Sequence, residues 1–282
     1  MRATAPAAPV RATAVALSLR YPRSSGVTRG VPCLRRERGE RCGWAVPGYG
    51  VVMRLLGVLG GMSWTSTAEY YRLLNQGVAT RLGGLHSAQL LLHSVDFAPV
   101  AQMQHDGDWA GTAAVLVDAA RGLELAGAEG LLLATNTMHK VADEIEAAAG
   151  IPLLHIADAA AAQLVSDDRR SVGLLATAFT MEQSFYTDRL RENGLEVLVP
   201  NDADRAEVHR IIYDELCLDV IRDDSRDRYG EVVDRLVERG AEAIVLGCTE
   251  ISLLLDRDDS AVPLYDTTAI HAEAAVNWML AT

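Results

Sequence analysis

An internal repeat constrains the fold of this chain more than any other feature of its sequence. The segment GAEGLLLATNT at 127–137 aligns without a gap with GAEAIVLGCTE at 240–250. Two further pairs of segments match in the same order along the chain, namely 54–59 with 170–175 and 151–154 with 262–265. Three ordered matches at nearly one offset indicate that a whole β/α unit has been duplicated.

Short apolar segments alternate with amphipathic segments in both halves, which is the pattern of parallel strands covered by helices. We predict strands at 54–59, 89–94, 130–134, 152–156, 171–175, 195–199, 243–247 and 262–265. We predict helices around 66–81, 110–126, 138–148, 157–166, 181–193, 205–222, 226–239 and 267–280. The repeat also pairs Tyr71 with Tyr186, each within a predicted helix.

The predicted fold class is therefore α/β, with two pseudo-symmetric domains that each contain a four-stranded, mainly parallel sheet flanked by helices. We expect the first domain to comprise 53–160 plus 266–282, because the last helix can fold back onto it. The second domain is then 161–265. Open α/β sheets bind ligands beyond the carboxyl ends of their strands. We therefore expect the active site in the crevice between the two domains.

The first 52 residues differ in composition from the rest of the chain. They hold nine arginines and two acidic residues, a net charge of +7, whereas 53–282 hold 17 basic and 36 acidic residues, a net charge of −19. Because segment 1–52 lacks amphipathic periodicity, we expect a disordered extension, or a stretch upstream of a true start at Met53. An Arg-rich, acid-poor transit peptide is the alternative. We expect a chain that begins at Met53 to fold and be active, as circular dichroism and an activity assay would show.

Charge, hydropathy and cysteine usage exclude several classes of partner and site. The acidic body argues against nucleic acid, since phosphate contacts need clustered Lys and Arg. No apolar run approaches the roughly 18 residues of a membrane span. The body contains two of the four cysteines, Cys217 and Cys248, which lie far apart and form no CxxC motif. This is neither a disulfide framework nor a metal site, and it suits a reducing cytoplasm.

The repeat aligns Thr135 with Cys248, each at the carboxyl end of a predicted strand. Taken singly, Thr135 and Asn136 are ordinary helix caps and Cys248 is an ordinary core residue. The repeat is an independent reason to place Thr135 and Cys248 at the crevice. Because a thiol at a strand end lies beside a helix N-terminus, we expect the Cys248 thiolate to be favoured.

Other polar residues allow more than one interpretation. The segment Gly57–Ser63 lacks the GxGxxG pattern, and either binds an anion such as a carboxylate through its N–H groups or simply forms a tight turn. Lys140 is the only lysine, so a pyridoxal-phosphate enzyme would have to use it, but we expect a solvated helix residue. Among His139, His155 and His271, His155 is the best placed to assist catalysis, with a structural role as the alternative.

Four motifs resemble the aspartate/glutamate racemase family, and the resemblance covers essentially all of 53–282. They are Gly60-Gly61-Met62, Asn136-Thr137-Met138-His139, Gly247-Cys248-Thr249-Glu250 and Asp266-Thr267-Thr268. Segments 83–88 and 136–143 are similar to the enterobacterial-type branch of L-aspartate/glutamate-specific or broad-specificity amino-acid racemases. The resemblance implies a pyridoxal-independent enzyme without a cofactor, two domains of like topology, and a homodimer. It also implies one cysteine in each half, on either side of the substrate Cα.

This chain departs from the family pattern at two positions. Thr135 stands where most members have the first cysteine, although the similar branch shares the Thr/Cys pair. Cys217 stands where typical aspartate racemases carry a lysine for the distal carboxylate, so dicarboxylic and homoserine-like substrates both remain open. The resemblance implies Thr135 and Cys248 as the catalytic pair. The substrate-binding residues that it implies are Met62, Gln104, Asn136, Thr137 and Thr249.

We therefore predict a cofactor-independent amino-acid racemase, an isomerase that inverts Cα by two-base proton transfer. Because a threonine hydroxyl ionises less readily than a thiol, we expect Cys248 to be the competent base and the two directions to differ in rate. Two alternatives remain. One is a decarboxylase or cis–trans isomerase of the same fold. The other is a two-lobed protein that binds an amino acid without turnover.

Overall fold

The computed structural model describes residues 52–281 and contains two four-stranded sheets. The strands are β1 (Leu56–Gly60), β2 (Leu90–Ser94), β3 (Gly130–Leu133), β4 (Leu153–Leu154), β5 (Ser171–Ala176), β6 (Glu196–Leu198), β7 (Ala243–Gly247) and β8 (Leu264–Asp266). The sheet orders are β2-β1-β3-β4 and β6-β5-β7-β8, and every pairing is parallel. The equivalent order of the two sheets confirms the predicted fold class. Residues 1–51 of the predicted N-terminal segment lie outside the described residues.

Helices connect the strands in both halves, as expected for parallel sheets. They are α1 (Trp64–Leu82), α2 (Phe97–His105), α3 (Trp109–Leu125), α4 (Ala142–Ala148), α5 (Ile156–Ser166), α6 (Ala178–Glu182), α7 (Ser184–Glu192), α8 (Asp202–Asp214), α9 (Asp223–Glu238), α10 (Ile251–Leu254) and α11 (Thr267–Leu280). Short 3₁₀ helices occur at Thr137–Val141, Leu216–Leu218 and Arg257–Asp259. None of the helices in the described residues combines the length and apolar character that crossing a bilayer requires.

Three predicted helices differ from the observed ones, and local backbone geometry explains the differences. The predicted helix at 181–193 is interrupted at Gln183, whose backbone is extended. The predicted helix at 205–222 ends at Asp214, and Asp219 adopts a left-handed conformation with φ 60°. The predicted helix at 138–148 begins with a 3₁₀ turn. Helix α2 was not predicted at all, although Asp96 caps it by accepting a hydrogen bond from the N–H of Ala98.

The strands β1, β3 and β7 are buried along their whole length and form the centres of the two cores. Helix α11 packs against α1 and α5, and the N–H of Arg54 donates to the carbonyl of Met279 at 2.9 Å. Helix α11 therefore packs against the half of the molecule that contains the first sheet. Helix α5 runs continuously across the predicted boundary at 160/161. The division into 53–160 plus 266–282 and 161–265 stays our proposal, with this helix crossing the junction.

One pairing within the repeat was wrong by a single residue. Tyr71 is 55% exposed, whereas Tyr70 and Tyr186 are both buried. The buried tyrosine of α1 that corresponds to Tyr186 of α7 is thus Tyr70. Its hydroxyl lies 2.9 Å from Nδ1 of His271, which ties α1 to α11.

Candidate functional site

All seven site residues predicted from the sequence line one cavity between the two halves. Met62, Gln104, Thr135, Asn136 and Thr137 come from the first half, and Cys248 and Thr249 come from the second. The cavity lies beyond the carboxyl ends of β1, β3 and β7, where parallel α/β sheets bind ligands. Residues that line the cavity without having been predicted as site residues are Ser63, Ser66, Phe97, Met138, Thr177, Ile212, Tyr213, Cys217, Gly247 and Glu250.

The Cys248 thiol follows β7 directly, and its Sγ donates a hydrogen bond to Oε2 of Glu250 at 3.0 Å. Burial, with the negative charge of Glu250, raises the pKa of Cys248 well above its usual range. The expectation that a helix N-terminus favours the thiolate was therefore wrong. Helix α10 has only four residues, so its dipole is weak. The negative charge of Glu250, 3.0 Å from the sulfur, outweighs the effect of that dipole on the thiol. At neutral pH the free thiol is protonated.

Glu250 connects the two halves of the molecule at the cavity. Its side chain is buried, and Oε1 accepts hydrogen bonds from Oγ of Ser63 at 3.0 Å and from Oγ of Ser66 at 2.9 Å. Both serines belong to the N-terminus of α1, where Ser63 is also the helix cap. With the Cys248 thiol these serines give the carboxylate three hydrogen-bond donors, which hold its position at the cavity wall. Glu250 is the last residue of the motif Gly247-Cys248-Thr249-Glu250, but the sequence did not predict a role for it.

Thr135 follows β3 at the position equivalent to Cys248 and is half-buried in the cavity wall. Its carbonyl accepts a hydrogen bond from Nδ1 of His139 at 2.8 Å, which fixes the backbone of this loop. Among the described residues, no side chain hydrogen-bonds Oγ1 of Thr135. The hydroxyl is thus free for a ligand, and it has no neighbouring base to activate it.

The other polar residues of the cavity are held by hydrogen bonds across the molecule. Nδ2 of Asn136 donates to Oγ1 of Thr267 at 3.2 Å, and the side chain does not cap the 3₁₀ helix that follows. Oγ1 of Thr137 lies 3.1 Å from Oγ1 of Thr177. The alternative that Asn136 is a mere helix cap is therefore wrong. These contacts fix amide and hydroxyl groups from both halves beside the space between Thr135 and Cys248.

The three histidines form a buried cluster that supports the loop carrying Thr135. The rings of His139 and His155 lie 4.4 Å apart, and those of His139 and His271 lie 5.9 Å apart. Burial lowers the pKa of all three histidines, that of His155 to about 3 and that of His271 to about 4. His155 accepts from the N–H of Ala157 as the cap of α5. None of the three lines the cavity, so the structural interpretation holds for His155.

The remaining candidates from the sequence have structural roles. Gly61 has φ 92°, and a Cβ there would lie 2.3 Å from the carbonyl oxygen of Val95, so only glycine fits. The Gly61 N–H donates to Oγ1 of Thr67 at 2.8 Å, which favours the tight-turn interpretation. Lys140 lies over the ring of Trp109 and bonds to Gln183.

Cys217 was predicted to lie within the helix at 205–222. It instead lies in the 3₁₀ turn Leu216–Leu218 and lines the cavity. Burial, with Glu250, raises the pKa of Cys217 to about 12, so its thiol is neutral.

Comparison with known proteins gives concordant matches over the body of the chain. A sequence model described as Asp/Glu/hydantoin racemase matches residues 59–275. The broad specificity amino-acid racemase RacX of Bacillus subtilis (strain 168) is 26% identical over 59% of this chain and 71% of its own length. A Yersinia pestis crystal structure, described as that of a candidate Asp/Glu racemase, is 53% identical with a TM-score of 0.78, covering 81% of this chain and 100% of that one. An aspartate racemase homologue from Pyrococcus horikoshii OT3 is 31% identical with a TM-score of 0.70, covering 80% and 99%.

Proposed function

The chain belongs to the Asp/Glu/hydantoin racemase family, and we propose that it racemises an amino acid by moving the α-proton between Cys248 and Thr135. The observation that supports this proposal most strongly is that Cys248 and Thr135 occupy equivalent positions of the internal repeat. The two residues occupy corresponding strand ends of two pseudo-symmetric halves and line a single cavity. Inversion needs acid/base groups on opposite faces of Cα, and such a pair meets that need. The enzyme is an isomerase that uses side chains in place of a cofactor.

The chemical task of the cavity is to stabilise the carbanion-like transition state, because the α-C–H of an amino acid is a weak acid. Charge develops on the substrate carboxylate, and preorganised donors stabilise it most when water is excluded. We assign this role to Asn136, Thr137 and Thr249. Thr249 is supported in it by a hydrogen bond that its Oγ1 accepts from Thr268 at 3.3 Å. Met62 and Gln104 complete the proposed substrate pocket.

We propose that the substrate side chain is uncharged, which favours a homoserine-like amino acid over aspartate or glutamate. Among the described residues that line the cavity, none is Lys or Arg. The carboxylate of Glu250 and the neutral thiol of Cys217 occupy the wall instead. A second substrate carboxylate would be buried without a cation beside it. The free energy lost when that charge leaves water is far larger than a hydrogen bond can offset.

Solvent-isotope exchange tests this function and separates it from the alternatives. The enzyme is incubated in deuterium oxide with one pure enantiomer of homoserine, methionine or aspartate at a time. An amino acid that it racemises should acquire deuterium at its Cα and appear as both enantiomers. We expect kcat/KM for homoserine to exceed that for aspartate by about 10²-fold or more, the cost of an unpaired buried carboxylate. A decarboxylase would release carbon dioxide, and a binding protein would produce neither label nor inversion. If aspartate is racemised as fast as homoserine, the proposal of an uncharged substrate side chain is wrong, but the proposed racemase function still holds.

We also propose a homodimer in the cytoplasm. The dimer is supported by the family resemblance. The compartment is supported by the free thiols of Cys217 and Cys248.

A further inference from the structure

We propose that Cys248 and Glu250 share one proton, and that Glu250 accepts the thiol proton when Cys248 acts as the base. This inference rests on the proposed racemase function and concerns the same site. It makes the base of the second half a thiol–carboxylate pair. Glu250 is then a residue that exchanges a proton with the reacting sulfur.

The geometry of the pair supports direct proton transfer. Sγ of Cys248 lies 3.0 Å from Oε2 of Glu250, while Oε1 of the same carboxylate is occupied by Ser63 and Ser66. The oxygen that faces the thiol is thus the one not engaged by the serine hydroxyls. A carboxylic O–H at that oxygen would point back toward the sulfur and stabilise a thiolate.

The surroundings of the pair favour a single negative charge. Tyr213, Cys217 and Tyr229 lie near the pair, and burial raises the pKa of all three. On its other side Glu250 borders a second pocket whose charged residues are Glu69, Arg72 and Asp266. The two tyrosines and the Cys217 thiol are neutral at physiological pH, and the charge of Arg72 is offset by its ion pair with Glu69. Two like charges about 3 Å apart in a buried site cannot both ionise readily. A thiolate beside an ionised Glu250 is therefore disfavoured, whereas transfer of the thiol proton to Glu250 leaves the charge at minus one.

Protons and electrons balance in the proposed catalytic step, and water is the only other reactant that it needs. The proton of Cys248 moves to Oε2 of Glu250, and the thiolate electron pair takes the α-proton, so the C–H bond breaks and an S–H bond forms. The C–H electron pair passes into the substrate carboxylate system. On the opposite face Thr135 delivers a proton to Cα and regains one from water. The proton gained by the Cys248–Glu250 pair returns to solvent, which neutralises the hydroxide left on the other side.

The variant Glu250→Gln tests this proton sharing through its pH dependence. Glutamine keeps the size of the side chain but cannot accept the thiol proton, so Cys248 must ionise by itself. We expect kcat at pH 7 to fall by about 10²-fold or more, with a smaller change in KM. The loss should be recovered by about tenfold per pH unit as the pH rises toward the pKa of the thiol. The parent should show no such rise over the same range, because its pair already holds the required single proton.

Glu192→Gln is the matched control, since Glu192 is exposed at the end of α7 and lines neither the cavity nor the second pocket beside Glu250. Its pH profile should equal that of the parent. A Glu250→Gln enzyme with the parental pH profile would overturn the proposal. So would a Glu250→Gln enzyme that stays inactive at alkaline pH while its Cys248 reacts as a thiolate.

Alkylation by iodoacetamide, followed by mass spectrometry of the Cys248 peptide, gives a readout independent of turnover. A shared proton predicts a plateau of reactivity around neutral pH in the parent, because the thiolate fraction of the singly protonated pair does not change with pH. Glu250→Gln should show a simple rise with no plateau. This test holds even if the chain fails to racemise. A missing plateau in the parent would refute the shared proton, whereas a plateau without racemisation would refute only the proposed function.

Discussion

Replacing Cys248 by alanine is expected to abolish racemisation starting from either enantiomer. The reason is that the α-proton leaves or returns on the Cys248 face in both directions, so each direction needs this sulfur. We expect kcat to fall by about 10²- to 10⁴-fold, measured by chiral chromatography of product from each pure enantiomer. The fold should persist, because Glu250 keeps its hydrogen bonds to Ser63 and Ser66 without the thiol.

The same variant identifies the cysteine responsible for inhibition by thiol reagents. Cys217 lines the same cavity, but among the described residues its thiol has no hydrogen bond to a carboxylate that could take its proton, whereas Sγ of Cys248 donates to Oε2 of Glu250 at 3.0 Å. Inactivation of a Cys217→Ala protein by iodoacetamide should therefore persist, with modification at Cys248. If alkylation instead inactivates the residual turnover of Cys248→Ala but spares Cys217→Ala, the reactive thiol is Cys217. A thermal unfolding curve that matches the parent would exclude loss of structure as the cause.

The internal repeat predicted two sheets of like topology, because strand order is a property of the whole β/α unit, although it did not predict that order. Duplicating the unit duplicates the order, so β2-β1-β3-β4 and β6-β5-β7-β8 follow from one pattern. The same equivalence brought Thr135 and Cys248 to one cavity. Helix α2 escaped prediction because Pro99 in its first turn gives the segment the composition of a loop, although proline is tolerated at that position.

The electrostatics of the site could not be predicted from the sequence around Cys248. A thiol before a helix suggests a favoured thiolate, but this depends on the length of the helix and on what else is buried nearby. Glu250 is two residues away in sequence, and its orientation toward the sulfur is set by Ser63 and Ser66, which lie 187 and 184 positions distant. The position of Cys217 in the cavity likewise depends on the end of α8 at Asp214. Such contacts exist only in the folded chain.

Substitutions of Thr135 test the role of its hydroxyl with the backbone unchanged. Among the described residues, Thr135 forms hydrogen bonds through its main chain alone: its N–H donates to the carbonyl of Leu133, and its carbonyl accepts from His139. Thr135→Val and Thr135→Ala keep these contacts and remove only the hydroxyl. Racemisation should fall by about 10²-fold or more, while exchange of the α-proton with deuterium on the Cys248 face persists. Thr135→Ser, which keeps the hydroxyl, should retain inversion.

The variant Thr135→Cys should gain rate where the hydroxyl limits the reaction. A thiol is far more acidic than a threonine hydroxyl, so the variant presents an ionisable group on both faces of Cα. Turnover should rise most for the enantiomer whose α-proton faces position 135, which makes the two directions more equal. Chiral chromatography from each enantiomer, with deuterium content measured in parallel, decides the outcome. If Thr135→Ala and Thr135→Val racemise as fast as the parent, the second proton comes from water alone. The equivalence of Thr135 and Cys248 would then describe the ancestry of the fold and not its chemistry.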